Sequence, residues 1–161
     1  PAVATDGSFD KAQIVRPQAI EAREAGDDAI EVPLIGLAWA RSGDKGNLFN
    51  VGVIARYPDY LPYILSALTP EAVAAWFAHE FDDLGAQRVA RFLLPGFDAV
   101  NFVIHDALGG GITCSPRLDA VAKGKAQQLL CFPVRIPATL AQRVSPSLLD
   151  FDRAEPYTGA L

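Results

Sequence analysis

The sequence predicts an α+β two-layer sandwich of the split βαββαβ type, with an additional strand on its N-terminal side. Three observations carry this. Short apolar runs at 48–56, 89–94, 99–107 and 132–136 read as strands, whose successive side chains point to opposite faces. Two longer stretches, 69–84 and 119–130, repeat apolar residues at helical spacing instead. In chain order these give strand, helix, strand, strand, helix, strand, the pattern that lays two helices on one face of a four-stranded antiparallel sheet.

Each element has its local reason. Residues 1–29 are polar and charged and read as a linker or N-terminal extension, since no wide apolar face develops. Residues 32–41 read as the additional strand at an edge, and 42–47 (Ser-Gly-Asp-Lys-Gly-Asn) as a loop by its turn residues. The run 48–56 puts Phe49, Val51, Val53 and Ala55 on one face. Thr69-Pro70-Glu71 opens a helix with a capping hydroxyl, proline at the first helical position and an acid near the positive dipole end. Val73, Trp76, Phe77, Phe81 and Leu84 form its inner stripe, and Gly85 stops it. Pro95-Gly96 joins 89–94 to 99–107 as a hairpin. Asp119 caps a second helix running through Leu130, and 132–136 closes the sheet before Pro137. The domain therefore spans 30–137, and 138–161 forms a C-terminal arm. This is the ferredoxin-like arrangement, and it leaves one sheet face open to water, a ligand or a partner.

Composition bounds the function. A chain of 161 residues with net charge −5 has no basic run, so it lacks the footprint that collects nucleic-acid phosphates. No apolar run approaches the roughly 20 residues of a membrane span, and the first residues do not read as a signal peptide. A cytoplasmic protein without membrane contact is the expectation. Cys114 and Cys131 are too few for a disulfide framework, and no paired His/Cys spacing suggests a metal. No cofactor motif is present either. Gly124-Lys125 lacks the Walker A spacer, and Ala126 stands where Ser or Thr would hold magnesium.

Two loops are candidates for chemistry. In the first, Gly43 and Gly46 free the backbone while Arg41 and Lys45 supply positive charge beside Ser42, Asp44, Asn47 and Asn50. That suits an anion such as a phosphate or carboxylate; a polar hairpin turn explains the same residues. The second loop, Gly109-Gly110-Gly111 followed by Arg117, leads toward a helix start, where N–H groups and the dipole favour an anion. Close packing explains these glycines equally, and Gly124 marks a close backbone approach. Whether the two loops meet depends on strand order.

Of the two histidines, His79 lies off the apolar stripe and reads as exposed. Alternation along 99–107 puts Asn101 and His105 on the open sheet face, where Asn50, Arg56, Arg91 and Arg135 can join them. Such a set can move a proton or bind a carboxylate, with His105 or Asp44 as the acid–base group. A polar solvated face, or an interface with a second copy, accounts for it too.

At these residues the chain resembles a known family. Residues 40–47 followed by 50–56, then Leu94-Pro95-Gly96 leading to Asn101-Phe102, Leu108 with the three glycines, and Asp119 to Gly124-Lys125 with Gln127, Leu129 and Leu130, resemble the C-terminal domain of acyclic terpene utilisation (AtuA-like) proteins. The likeness covers roughly 30–137. It implies a ferredoxin-like fold, a much larger companion domain and a place in acyl-CoA or acyclic terpene catabolism. An accessory or ligand-binding domain, forming a homo-oligomer or joining that larger domain, is the expected function. The alternative is an enzyme, or part of one, acting on an acyl-CoA or carboxylate held at 41–47 and 109–111.

Overall fold

The computed structural model describes residues 14–81 and 88–149. The expected strand at 32–41 is two strands. β1 (Ala29–Pro33) ends in a single 3-10 turn over Leu34–Gly36, closed by the Leu37 N–H on the Leu34 carbonyl, and β2 (Ala38–Lys45) follows. β2 continues through 42–45, which the sequence marks as loop. Ser42 to Lys45 pair with Val51 to Leu48, and only Gly46-Asn47 remains as a two-residue turn. Turn-prone residues stay in strand there because the partner strand fixes their pairing. Gly46 has φ +71°, the positive value a tight hairpin turn asks of its first central residue.

β3 (Leu48–Ala55) turns Phe49, Val51, Val53 and Ala55 inward, as alternation predicts. Residues 61–67, unassigned from sequence, form α1 (Leu61–Ala67), with proline in its first turn. α2 (Pro70–Trp76) begins as expected: the Thr69 hydroxyl accepts from the Ala72 N–H at 3.1 Å. It is shorter than predicted, because a 3-10 turn at Ala78–Glu80 replaces its continuation and Phe81 is extended. Leu84 and Gly85 lie outside the described residues. The inner stripe packs as expected, with Phe77 edge-on to Phe49 at 5.3 Å between ring centroids.

β4 (Val89–Leu94) and β5 (Ala99–Ile104) form the expected hairpin. β5 ends three residues early, since Asp106 adopts φ +51° and turns the chain. α3 (Lys125–Leu130) starts five residues later than the Asp119 cap implies. Ala122, buried at φ +54°, breaks any helix before it. Asp119 does not cap the helix but closes the loop ahead of it, its carboxylate accepting from the Lys123 and Gly124 N–H groups at 2.8 Å, and Gly124 takes the N-cap position. A Cβ on Gly124 would stand 3.2 Å from that carboxylate, a tight approach that a glycine avoids.

The main sheet has the order β2-β3-β5-β4, all antiparallel. The closing strand, β6 (Pro133–Pro137), leaves this sheet and pairs with β1 as a separate two-stranded ribbon. β2 reaches the edge of β3 through a two-residue turn at small loop-closure cost. Proline at both ends of β6 removes donors and confines it to a short margin. α4 (Ala138–Ala141) and α5 (Pro146–Leu149) follow. Ala141 and Val144, in the stretch read as an arm, are buried in the core. α1, α2 and α3 all pack on the side to which Val51, Phe49, Val100, Phe102 and Ile104 point. The opposite sheet face has no helix on it among the described residues.

Candidate functional site

The two glycine loops meet at one end of the sheet. Asn47 joins them: its Oδ1 accepts from the Gly110 N–H at 2.7 Å, and its Nδ2 donates to Asp106 Oδ1 at 3.2 Å. The Ala107 N–H donates to the Asn47 carbonyl at 3.0 Å. Gly109, Gly110 and Gly111 all have positive φ, a run that only glycine adopts readily. A Cβ on Gly111 would stand 3.0 Å from the Gly46 carbonyl oxygen. Asn47→Ala should cost about 0.5–1.5 kcal/mol, the net worth of a hydrogen bond whose exposed partners water can still satisfy, read as a lower urea midpoint.

The groups expected to cradle an anion there are largely engaged by the fold. Gly110 N–H is held by Asn47, and Gly111 N–H donates to Leu108 O at 3.4 Å. Ser42 is buried; its hydroxyl donates to the Ala122 carbonyl at 2.6 Å and accepts from the Ala126 N–H at 2.8 Å. Asp44 N–H donates to Val121 O, and Lys45 Nζ to the Asp44 carbonyl at 2.8 Å. By alternation Asp44 falls on the helix side of the sheet and His105 on the open side, so the two proposed proton carriers are not brought together. His105 is exposed, and its backbone N–H donates to Arg88 O at 2.8 Å.

Arg117 belongs to a cluster that sequence reasoning missed. Its Nη1 donates to Glu80 Oε2 at 2.8 Å, and Lys125 Nζ donates to Glu80 Oε1. Glu80 and Lys125 are only 6% and 4% exposed. Lys125 opens α3, where the dipole's positive end disfavours a cation; Glu80 compensates it. Burial pushes the Glu80 carboxyl upward, but the hydrogen bonds from Lys125 and Arg117 outweigh it and leave it below the ordinary value of 4.5. His79, 59% exposed as expected, touches the same carboxylate at 3.2 Å. A lysine in a helix's first turn was the one signal available.

The open face is more apolar than the sequence implied. Its cross-strand rows are Trp39, Ile54, Ala99, Leu94; then Arg41, Gly52, Asn101, Phe92; then Gly43, Asn50, Val103, Ala90. Trp39 is 53% exposed, Ile54 and Phe92 50%, and Phe97 in the hairpin turn 74%. Together they border a shallow groove of about 580 Å³. Asn50 Nδ2 donates to Asn101 Oδ1 at 3.1 Å across its floor.

Two arginines expected on this face are elsewhere. Arg91 points to the helix side and donates to the Leu65 and Leu68 carbonyls at 2.7 and 3.1 Å, satisfying the end of α1. Arg135 sits in β6, opposite Glu31 in the ribbon. Arg56 lies just past β3 with its guanidinium 4.6 Å from the Trp39 ring centroid.

Among the described residues, no cluster of His, Cys, Asp or Glu is suited to a metal ion, and no helix is long and apolar enough to cross a membrane. Cys114 and Cys131 are free and exposed. No curated protein and no solved structure matches the chain. A family model for the AtuA ferredoxin-like domain matches residues 32–135, from β1 into β6 and well over half of the 161 residues. With the helices on one side of its antiparallel sheet and that match along its core, the chain belongs to the AtuA ferredoxin-like domain family.

Proposed function

We propose that this chain is an accessory, ligand-binding domain of acyl-CoA and acyclic terpene catabolism. It acts in the cytoplasm beside a larger AtuA-like domain or as a homo-oligomer, with the open sheet face as its working surface. One observation carries the reading: helices cover one face of the sheet, while the other presents Trp39, Ile54, Phe92, Leu94 and Phe97 to solvent around Arg41 and Asn101. Large apolar groups gathered on one exposed face mark a binding surface. The enzyme alternative, with an acyl-CoA or carboxylate at the loop corner, has weaker support. The Gly110 and Gly111 N–H groups it needs already bond within the fold.

Binding of 1-anilinonaphthalene-8-sulfonate, an apolar anion that fluoresces out of water, tests this on the folded full chain. Saturable binding is expected, weakened roughly ten-fold or more by Phe92→Glu with circular dichroism and Tm unchanged. No saturable binding, or equal binding by the variant, refutes the reading. Phe97, the most exposed aromatic of the face, favours a second reading in which another copy covers it. Light scattering decides: a dimer that Phe97→Glu dissociates assigns the face to self-association.

A further inference from the structure

We infer that the groove on the open face takes a monocarboxylate with an apolar chain, its carboxylate beside Arg41 and its chain along Trp39, Ile54, Phe92 and Phe97. This rests on the open face being the working surface and names what occupies it. Polarity changes along the strands. The first cross-strand row is wholly apolar; the next, about 7 Å further on, brings Arg41 and Asn101; the third brings Asn50. Within these three rows an elongated molecule lying along the strands thus meets hydrocarbon at Trp39 and Ile54 and donors at Arg41 and Asn101, with Arg56 stacked on Trp39 beyond the first row. A mostly apolar concavity with a few converging polar groups is the usual form of a small-molecule site.

The polar end is built for a negative oxygen. The Arg41 side chain has no hydrogen bond or carboxylate partner among the described residues. Lys123 Nζ reaches over the same edge, 3.2 Å from where a Gly43 Cβ would stand, and has no acid partner among them either. At this end of the groove Arg41 and Lys123 thus stand without a carboxylate partner among the described residues, in a chain of net charge −5, so charge complementarity favours an anionic head over a neutral one. Asn50 uses Asn101 Oδ1 and leaves the Asn101 Nδ2 donors directed to no other described residue.

Gly52, at the middle of the floor, supplies the depth. A Cβ there would come no closer than 3.9 Å to any neighbour, and its φ is not positive. Neither packing nor backbone conformation demands glycine at this position, and its missing side chain keeps the groove hollow.

Displacement of the fluorescent sulfonate by octanoate, with octanol as the uncharged control, tests the occupant. Octanoate is expected to displace the dye at one site and octanol at least ten-fold more weakly, the loss expected for one charge-assisted contact. Arg41→Ala should weaken octanoate roughly 10- to 100-fold and leave octanol unchanged. Gly52→Val should abolish binding while Tm holds or rises, because valine suits a strand better than glycine. Equal displacement by octanol, or Arg41→Ala and Gly52→Val proteins that bind octanoate like the parent, overturns the inference. A dye that binds and is not displaced by octanoate removes the carboxylate occupant alone; a dye that does not bind removes the working-surface reading with it.

Discussion

Replacing Glu80 by alanine should destabilise the fold by about 3–5 kcal/mol, the loss expected when one partner of a buried ion pair is removed. Glu80 accepts from Lys125 on one carboxylate oxygen and from Arg117 on the other. Without it, Lys125 is a cation 4% exposed at the positive end of α3. It must then stay charged without a partner, lose its proton, or pull the helix out into water. For a domain of this size the change corresponds to a Tm lower by roughly 6–20 °C. Urea denaturation of Glu80→Ala checks it, and a loss under about 1 kcal/mol would mean the pair behaves as a surface one. Glu80→Leu combined with Lys125→Met should recover most of the loss, because apolar residues of similar volume replace a buried pair at little cost.

The same carboxylate sets the acid limb of stability. Its folded value lies below the ordinary 4.5, so the unfolded chain binds the proton more tightly. Its contribution is therefore complete above about pH 4.5 and is lost as pH falls through the lower folded value. Thermal unfolding of the parent should decline steeply below pH 4.5, and Glu80→Gln should flatten that decline. Parallel profiles for the two proteins would count against this assignment.

The fold was legible where the pattern is local. Alternation through Phe49, Val51 and Val53 and the Thr69 cap were read from sequence and stand in the structure. So does the β4–β5 hairpin. What escaped depends on distant partners. Nothing near Ser42 to Lys45 says that glycine and aspartate there remain paired in a strand; Val51 to Leu48 decide it. Nothing near Arg91 says that it faces helix carbonyls at 65 and 68 and not water. The site divided in the same way. Asn47 and Gly110 were singled out for their types, and the structure brings them together, but as partners of each other. Glu80 was invisible because its two cations lie 37 and 45 residues away. The apolar open face was hidden by alternation, since Trp39, Ile54 and Phe92 belong to three strands whose register only the fold assigns.

Ser42→Ala should cost about 2–6 kcal/mol and leave ligand affinity unchanged. The cost follows from two buried groups that lose their partner, at about 1–3 kcal/mol each. One is the Ala126 N–H, a first-turn donor of α3 that needs a cap. Gly124, at the N-cap position, has no side chain to provide it, so a serine on the neighbouring strand caps the helix from outside. The other is the Ala122 carbonyl, on a residue held at φ +54°; the Ser42 hydroxyl helps fix that turn between the Asp119 loop and α3. A serine that instead touched a bound anion would, when truncated, weaken binding and spare stability. The two outcomes point in opposite directions. Urea denaturation, amide exchange at Ala126 and octanoate displacement on the same variant distinguish them: faster exchange with unchanged affinity makes Ser42 a capping residue, while weaker binding in an equally stable protein returns it to the ligand.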